Sequence, residues 1–390
     1  MNVAPAEMRG GVTRAQAHSL GRTPSFHTET LNMKRALCII LLATLSPVVQ
    51  AQRKIHQLPQ LAGYVTLQCD FHMHTVFSDG DVWPTLRADE AWAEGLDAIA
   101  ITDHIEFQRR KEYVAPDHNA AWKIVKDYAA FRNVIPIHGA EISKNMPPGH
   151  INALFITDGT LLQLEDPLAA VEAAAKQGAF IFYDHPGWKS QQSDGIPRWY
   201  DIHETMLTRG WLHGVEFSNG KEFYPLVLEW VRDRHLTVMG NTDVHGSVTD
   251  THLVGTVTHR PMTLVFAKDR TEGSIKEALF AGRTAVWFDE MVAGREDILT
   301  ELVTSVLQVE RPYFENEKQL YFEIANTSDI PVFLTGGPAG APAKIRIPAR
   351  SKASVRLVKP VKGDELIYTV DNYMCGESKY VKTTLKLRPR

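Results

Sequence analysis

Short apolar runs that end in histidine or a carboxylate recur through most of this chain, and helix-like stretches separate several of them. Runs at 65–71, 98–102, 134–141, 151–156, 179–183, 214–217 and 237–241 read as strands. Between them, 84–93 (with Pro84 in its first turn), 119–131, 167–176 and 225–234 read as helices. Repeated strand–helix alternation predicts a parallel sheet, and about seven such units predict a closed or distorted barrel. Chemistry in such barrels gathers at the C-terminal ends of the strands. A helix-like stretch at 274–281 ends this part of the chain.

Beyond about residue 300 the pattern changes. Apolar runs at 320–326, 331–334, 344–348, 353–357, 365–370 and 383–387 alternate with turn clusters such as Thr335-Gly336-Gly337-Pro338. This predicts a small, sandwich-like antiparallel β domain. It holds no histidine, so its expected part is structural or substrate-shaping. The predicted organisation is an N-terminal extension and signal over 1–51, a metal-dependent barrel over 52–295 and a β domain over 300–390.

At the N-terminus, Met33-Lys34-Arg35 precedes an apolar run at 36–45 and then Val49-Gln50-Ala51. A basic start, a short apolar core and small residues at a cleavage point have the anatomy of a secretory signal cut after Ala51. The run is too short to cross a bilayer core of about 30 Å. A buried helix is the other reading, and Pro47 and the polar flanks speak against it. The prediction is a periplasmic or secreted protein with no stable membrane anchor. Of Cys38, Cys69 and Cys375, the last two would remain after cleavage, with their pairing open. Three cysteines are too few for a disulfide scaffold. The net charge of −4 argues against a nucleic-acid partner.

The first barrel run ends Asp70-Phe71-His72-Met73-His74. Residues two apart on a strand share a face, so His72 and His74 project together. Ser78-Asp79-Gly80 follows as a tight turn presenting a carboxylate. His104 closes Thr102-Asp103-His104, Glu141 closes the third run and His150 opens the next. His185 lies in Asp184-His185-Pro186-Gly187, and Asp243-Val244-His245 forms a second same-face pair. Imidazole and carboxylate without thiolate suit Zn, Mn or Fe. Nine ligands exceed what one ion takes and match two or three divalent ions sharing a bridging carboxylate. Against Asp79, Glu141 and Asp243, such ions leave a cationic pocket that selects an anion such as phosphate. Clustered metals activate water and clamp the oxygens of an in-line displacement, which makes phosphoester hydrolysis the natural chemistry.

The order His-x-His-x4-Asp, Thr-Asp-His, Glu, His, His and Asp-x-His resembles the PHP superfamily, named for its polymerase and histidinol phosphatase members. The resemblance covers roughly residues 66–288 and all nine ligand positions. It implies a distorted (β/α)7 barrel with a trinuclear site. His72, His74 and Asp243 would hold one metal and Glu141 would bridge to a second, completed by His150 and His185. Asp79, His104 and His245 would hold a third. The signal and the β domain resemble exported bacterial phosphodiesterases of the Sb-PDE type. The implied activity is hydrolysis of a small phosphoester by a metal-bridging hydroxide, and the resemblance to exported phosphodiesterases implies a diester. A histidinol-phosphatase-like monoesterase, a non-catalytic metal- or ligand-binding module and an amidohydrolase are the alternatives.

Asp243 and Lys144 are the expected catalytic residues, Lys144 as a phosphate contact; Arg260 and Arg283 are weaker candidates for that contact. Asp70 and Asp103 are candidates to orient His72 and His104. Trp188, Trp199 and Tyr200 are candidates for a leaving-group pocket. His118, His138, His203, His213, His235, His252 and His259 are expected at the surface or in the core, and Cys69 is expected to be inert. Oligomeric state is open at this level.

Overall fold

The computed structural model describes residues 52–252, 260–360 and 363–387. The signal-like segment, Cys38 and His259 lie outside the described residues, as does the side chain of His252. The barrel region runs β1 Val65–Asp70, α1 Pro84–Glu94, β2 Ala98–Ile101, α2 Ala120–Phe131, β3 Ile135–Ser143, β4 His150–Leu154, α3 Pro167–Lys176, β5 Phe180–Tyr183, α4 Asp201–Thr208, β6 Gly214–Asn219, β7 Glu222–Phe223, α5 Val227–Asp233, β8 Thr237–Asn241 and α6 Val248–His252. It continues with β9 Met262–Ala267, α7 Glu272–Phe280, β10 Thr284–Phe288, β11 Met291–Gly294 and α8 Glu296–Val306. Local chemistry explains the helix starts. Pro84 and Pro167 occupy first-turn positions, and the Asp166 and Thr271 side chains cap α3 and α7 by accepting from the Ala169 and Ser274 amides. Gly95, at φ 85°, ends α1 in the left-handed conformation.

The sheet is mixed rather than wholly parallel. The pairs β1–β2, β2–β3, β5–β6 and β6–β8 are parallel. β4 is antiparallel to both β3 and β5, and β9 is antiparallel to β1. The reason lies in the linkers. Only residues 144–149 join β3 to β4, too few for the crossover that a parallel pair requires. This reversal brings the start of β4, and so His150, to the rim where the parallel strands end.

No ladder joins β8 to β1 or β9 among the described residues. The seam holds through individual contacts instead. The Asp243 amide donates to the His72 carbonyl (2.8 Å) and the His74 amide to the Val244 carbonyl (3.0 Å). The Asn241 side chain accepts from the Phe71 amide (2.9 Å) and the Thr263 hydroxyl from the Gly240 amide (2.9 Å). An apolar floor of Ala98, Ala100, Ile137, Leu154, Phe180, Phe182 and Met239 packs with Ile275, Ala278 and Leu279 of α7. Ile137 and Leu154 share the faces of Glu141 and His150 by the period of two, which puts this floor beneath the rim.

The remainder is antiparallel: β12 Leu307–Val309, β13 Phe314–Glu315, β14 Gln319–Asn326, β15 Val332–Thr335, β16 Lys344–Ile347, β17 Ser351–Val358, β18 Glu365–Gly376 and β19 Lys379–Lys386. β12, β13 and β17 pair with β14, while β15, β16 and β19 assemble around β18. The two sheets share a core that includes Phe322, Val355, Val332 and Val370 and extends to Leu299, Leu302 and Val303 of α8. β18 also pairs in parallel with β11, so one sheet runs from the barrel into the C-terminal region. Cys69 and Cys375 are both free and buried. No described helix is long and apolar enough to cross a membrane.

One buried ion cluster ties the seam. Arg260 is fully buried and donates to Asp70 (2.5 Å) and Glu94 (3.1 Å), and Asp70 also accepts from the Thr242 hydroxyl (2.6 Å). Replacing Arg260 by Ala strands two buried carboxylates. The expected loss is about 3–5 kcal/mol of unfolding free energy. A denaturant titration of R260A showing less than about 1 kcal/mol would mean that the cluster does not hold the seam.

Candidate metal centre

The nine expected ligand side chains reach one rim from different elements. His72 and His74 follow β1, Asp79 lies in the turn after them, His104 follows β2, Glu141 sits in β3 and His150 opens β4. His185 follows β5, and Asp243 and His245 follow β8. Two of these positions leave the strand conformation: His185 has φ 24° and Asp243 φ 51°. Left-handed backbone at a non-glycine residue is strained, and such strain collects at functional sites. At Gly80 a Cβ would lie 2.5 Å from the His74 carbonyl carbon and the Thr75 amide nitrogen, so only glycine lets the Asp79 turn fold this tightly against His74.

Glu141 is fully buried at the centre. Its carboxylate lies 3.1 Å from His72 Nε2, 3.2 Å from His74 Nε2 and 3.2 Å from His104 Nδ1, and it also contacts His150 Nδ1. Asp243 Oδ1 is 2.9 Å from His74 Nε2 and 3.2 Å from His72 Nε2, and its other oxygen is 4.0 Å from His185 Nε2. Asp79 Oδ1 is 3.1 Å from His245 Nε2 and 3.4 Å from His104 Nε2. Two donors each about 2.1 Å from one ion stand about 3.0–3.4 Å apart at ordinary coordination angles. Most of these separations match that edge.

The nine expected donors fall into four compact groups, His74–Asp79–His104–His245, His72–His74–Glu141, His72–His185–Asp243 and His104–Glu141–His150, and a fifth group joins His72 to Asp184 and Glu216. The structure thus brings all nine sequence-derived ligands together. It places His74 beside the Asp79 group as well, and His185 with His72 and Asp243. His74 Nε2, Asp79 Oδ1 and His150 Nδ1 are buried and make no hydrogen bond. Buried polar atoms pressed against ionisable neighbours without a hydrogen bond are costly, and coordination would satisfy them. The residues present fit divalent ions.

The electrostatics show the same need for cations. Burial opposes charge at Glu141, yet His104 and His150 hold its pKa well below the usual carboxylate range. Asp243 is half-buried, and His72 and His74 pull its pKa well down against the cost of desolvation. Burial works against the imidazolium of His72, but Asp243, Glu216 and Asp184 outweigh it and raise its pKa well above normal. His104 is raised in the same way by Glu141 and Asp79, and His245 by Asp79 and Asp243. Burial and the neighbouring His150 push His185 down to about 4.

Several supporting residues carry weaker sequence signals. Glu216, an acid inside the apolar run of β6, is fully buried and accepts from His72 Nδ1 (2.9 Å), the His185 amide (2.8 Å) and Asn241 (2.9 Å). It turns His72 Nε2 toward Glu141. Arg87 of α1, fully buried, donates to the carbonyls of His74, Val244 and His245 at 2.9–3.0 Å and so fixes two ligand segments together. Ser143 Oγ lies 2.6 Å from His104 Nδ1. Asp184 is fully buried, both its oxygens lack hydrogen bonds, and burial pushes its pKa well up.

Other expected roles change. Asp70 meets Arg260 and Thr242, so the imidazole of His72 is oriented by Glu216 instead. Asp103 accepts from the Thr75 amide (2.7 Å) and hydroxyl (2.6 Å) and the Ser78 hydroxyl (2.6 Å), which holds the loop before Asp79 rather than the ring of His104. The Lys144 ammonium is tied to Glu106 (2.8 Å) and the Leu164 carbonyl (2.7 Å), because those acceptors outcompete solvent for it. Arg260 is spent on the seam, and Arg283 binds Glu277 and the Phe266 carbonyl. Trp188 stands 5.6 Å from His150 and 5.2 Å from His185, ring to ring. Trp199 packs on Trp230 and His203, and the Tyr200 hydroxyl accepts from Gln192. His138 stacks on Trp122 at 4.6 Å, and His203 meets the Pro148 carbonyl at 2.7 Å, both as core histidines.

Residues 70–228 match the model of the PHP domain family. A two-domain protein of Bacteroides vulgatus, described as containing a predicted PHP-like metal-dependent phosphoesterase, is 37% identical; the likeness covers 86% of this chain and 99% of that one at a TM-score of 0.83. An uncharacterised protein of Methanocaldococcus jannaschii is 28% identical over 190 residues, which is 46% of this chain and 82% of its own.

Two outcomes follow from the geometry. Glu216→Ala removes the acceptor on His72 Nδ1 and should weaken divalent-metal affinity about 10–100-fold by equilibrium dialysis; unchanged affinity would free His72 from dependence on Glu216. Binding must also expel protons from His72, His104 and His245, whose raised pKa values keep them charged above the usual imidazole value of about 6.5. Metal uptake should therefore fall away as pH drops, starting above about 6.5. Uptake unchanged down to pH 5 would contradict this.

Proposed function

This chain belongs to the PHP family, and on that premise we propose that it hydrolyses phosphodiesters with two or three divalent ions of the Zn, Mn or Fe type. The observation that carries the reading is the convergence of four imidazoles on one fully buried carboxylate, Glu141, with Asp243 and the Asp79 group alongside. When bound, the ions supply Lewis acidity that activates a water and neutralises charge on phosphoryl oxygens. The protein residues set the geometry for that chemistry. Glu141 and Asp243 join the donor groups, Glu216 and Ser143 fix the rings of His72 and His104, and Arg87 holds the His74 and His245 backbones in register. His245, with 37% of its side chain exposed, borders solvent beside Asp79, which leaves that side of the site open to a substrate. The description of the Bacteroides relative supports the phosphoesterase class. The signal-like segment at 33–51 extends the proposal to a periplasmic or secreted enzyme.

The test uses the metal-loaded full chain with bis(p-nitrophenyl) phosphate beside p-nitrophenyl phosphate. The diester should show the higher kcat/KM, and a clear monoester preference would replace this reading with a monoesterase. Glu141→Gln should lower kcat/KM by more than the roughly 100-fold that outer partners of a metal site cost. Retention of full activity would remove Glu141 from the reaction centre.

A further inference from the structure

Two exposed aromatic rings stand beside the metal-ligating groups. Phe107 is 51% exposed, with its ring centroid 6.2 Å from that of His104. Trp188 is 38% exposed, 5.6 Å from His150 and 5.2 Å from His185. His104, Glu141 and His150 form one of the donor groups, so the rings adjoin the same group through different ligands. Neither ring belongs to the apolar clusters of the described residues, whereas Trp199, the other tryptophan near this loop, packs against one of them. Packing therefore does not account for Phe107 and Trp188. Each is also followed closely by an exposed cation, Arg109 and Lys189, with no ion pair among the described residues. The Arg109 amide donates to the Ser78 carbonyl (3.0 Å), which places that backbone against the turn bearing Asp79.

Exposed π faces and unpaired cations bordering an anion-selecting site fit a phosphate ester that carries a flat ring. Aromatic side chains stack on any such face with little regard to its substituents. Resting on the phosphoesterase reading above, we propose that Phe107 and Trp188 seat a planar aromatic group, such as a nucleobase or an aryl ring, attached to the phosphoester. They are specificity residues: they hold the substrate's organic part while the ligand cluster takes its phosphoryl group.

Calorimetry on the metal-loaded full chain with phenylphosphonate and methylphosphonate tests this without turnover, because a C–P bond is not hydrolysed by ester chemistry. The wild-type chain should bind phenylphosphonate about tenfold more tightly. Trp188→Ala and Phe107→Ala should each erode that ratio, the double variant should bring it near one, and Trp188→Phe should keep most of it. Equal binding by the wild type, no binding of phenylphosphonate, or a ratio that survives the double variant would overturn the proposal. A nucleoside phosphonate titrated alongside tells a nucleobase from a simple aryl ring, and preference for either supports the site. Turnover of p-nitrophenyl esters by the same preparations is read separately. Loss of hydrolysis with the aromatic preference intact would count against the proposed reaction and leave the stacking site standing.

Discussion

A full negative charge with no access to water organises this molecule. Glu141 is 0% exposed, and among the described residues its ionisable contacts are all imidazoles. Burying an uncompensated carboxylate costs several kcal/mol, so something cationic has to meet it. Protons on His72 and His104 meet that need in the metal-free chain, and divalent ions would do so more completely. β1 leads to two imidazoles at the same point and β2 and β4 to one each, and the reversal of β4 is what lets His150 join them. Fold and site answer one electrostatic demand.

Two buried arginines show how the protein keeps its own cations out of that arrangement. Arg87 binds carbonyl oxygens and Glu90, and Arg260 binds Asp70 and Glu94. Each fixes backbone or a carboxylate behind the ligand segments, where its charge is compensated. Lys144 is likewise occupied by Glu106. Among the donor groups themselves, positive charge is thus left to the histidines and the metal ions they can hold, while the cations Arg109 and Lys189 stay at the exposed margin.

The side chains that converge on the rim were legible because they sit at the boundaries of apolar runs, where an imidazole or carboxylate has no packing reason to be. The His72–His74 pair follows from the period of two. That same period misleads at Asp70 and Asp103, whose directions are decided by Arg260 and by Thr75 and Ser78, residues distant in sequence or hidden in a loop. It also stops applying where His185 and Asp243 turn left-handed. Glu216 left a faint sign, one acid in an apolar strand, which reads equally well as an edge residue. The helices with proline starts or side-chain caps were readable from local chemistry. The pairing of β9 with β1 was not, since that antiparallel addition depends on a partner nearly two hundred residues away.

The parallel pairing of β11 with β18 sets an order of events in biosynthesis. Val292 finds its partner Tyr373 only after roughly eighty more residues have been made. At translation rates of about 5–20 residues per second, that interval lasts about 4–16 seconds. Throughout it the nascent barrel presents β11 as a bare sheet margin, the kind of surface that recruits neighbouring chains. The C-terminal strands thus serve the barrel as a late-arriving cover, and anything that stalls the ribosome between the two would leave the polypeptide prone to self-association.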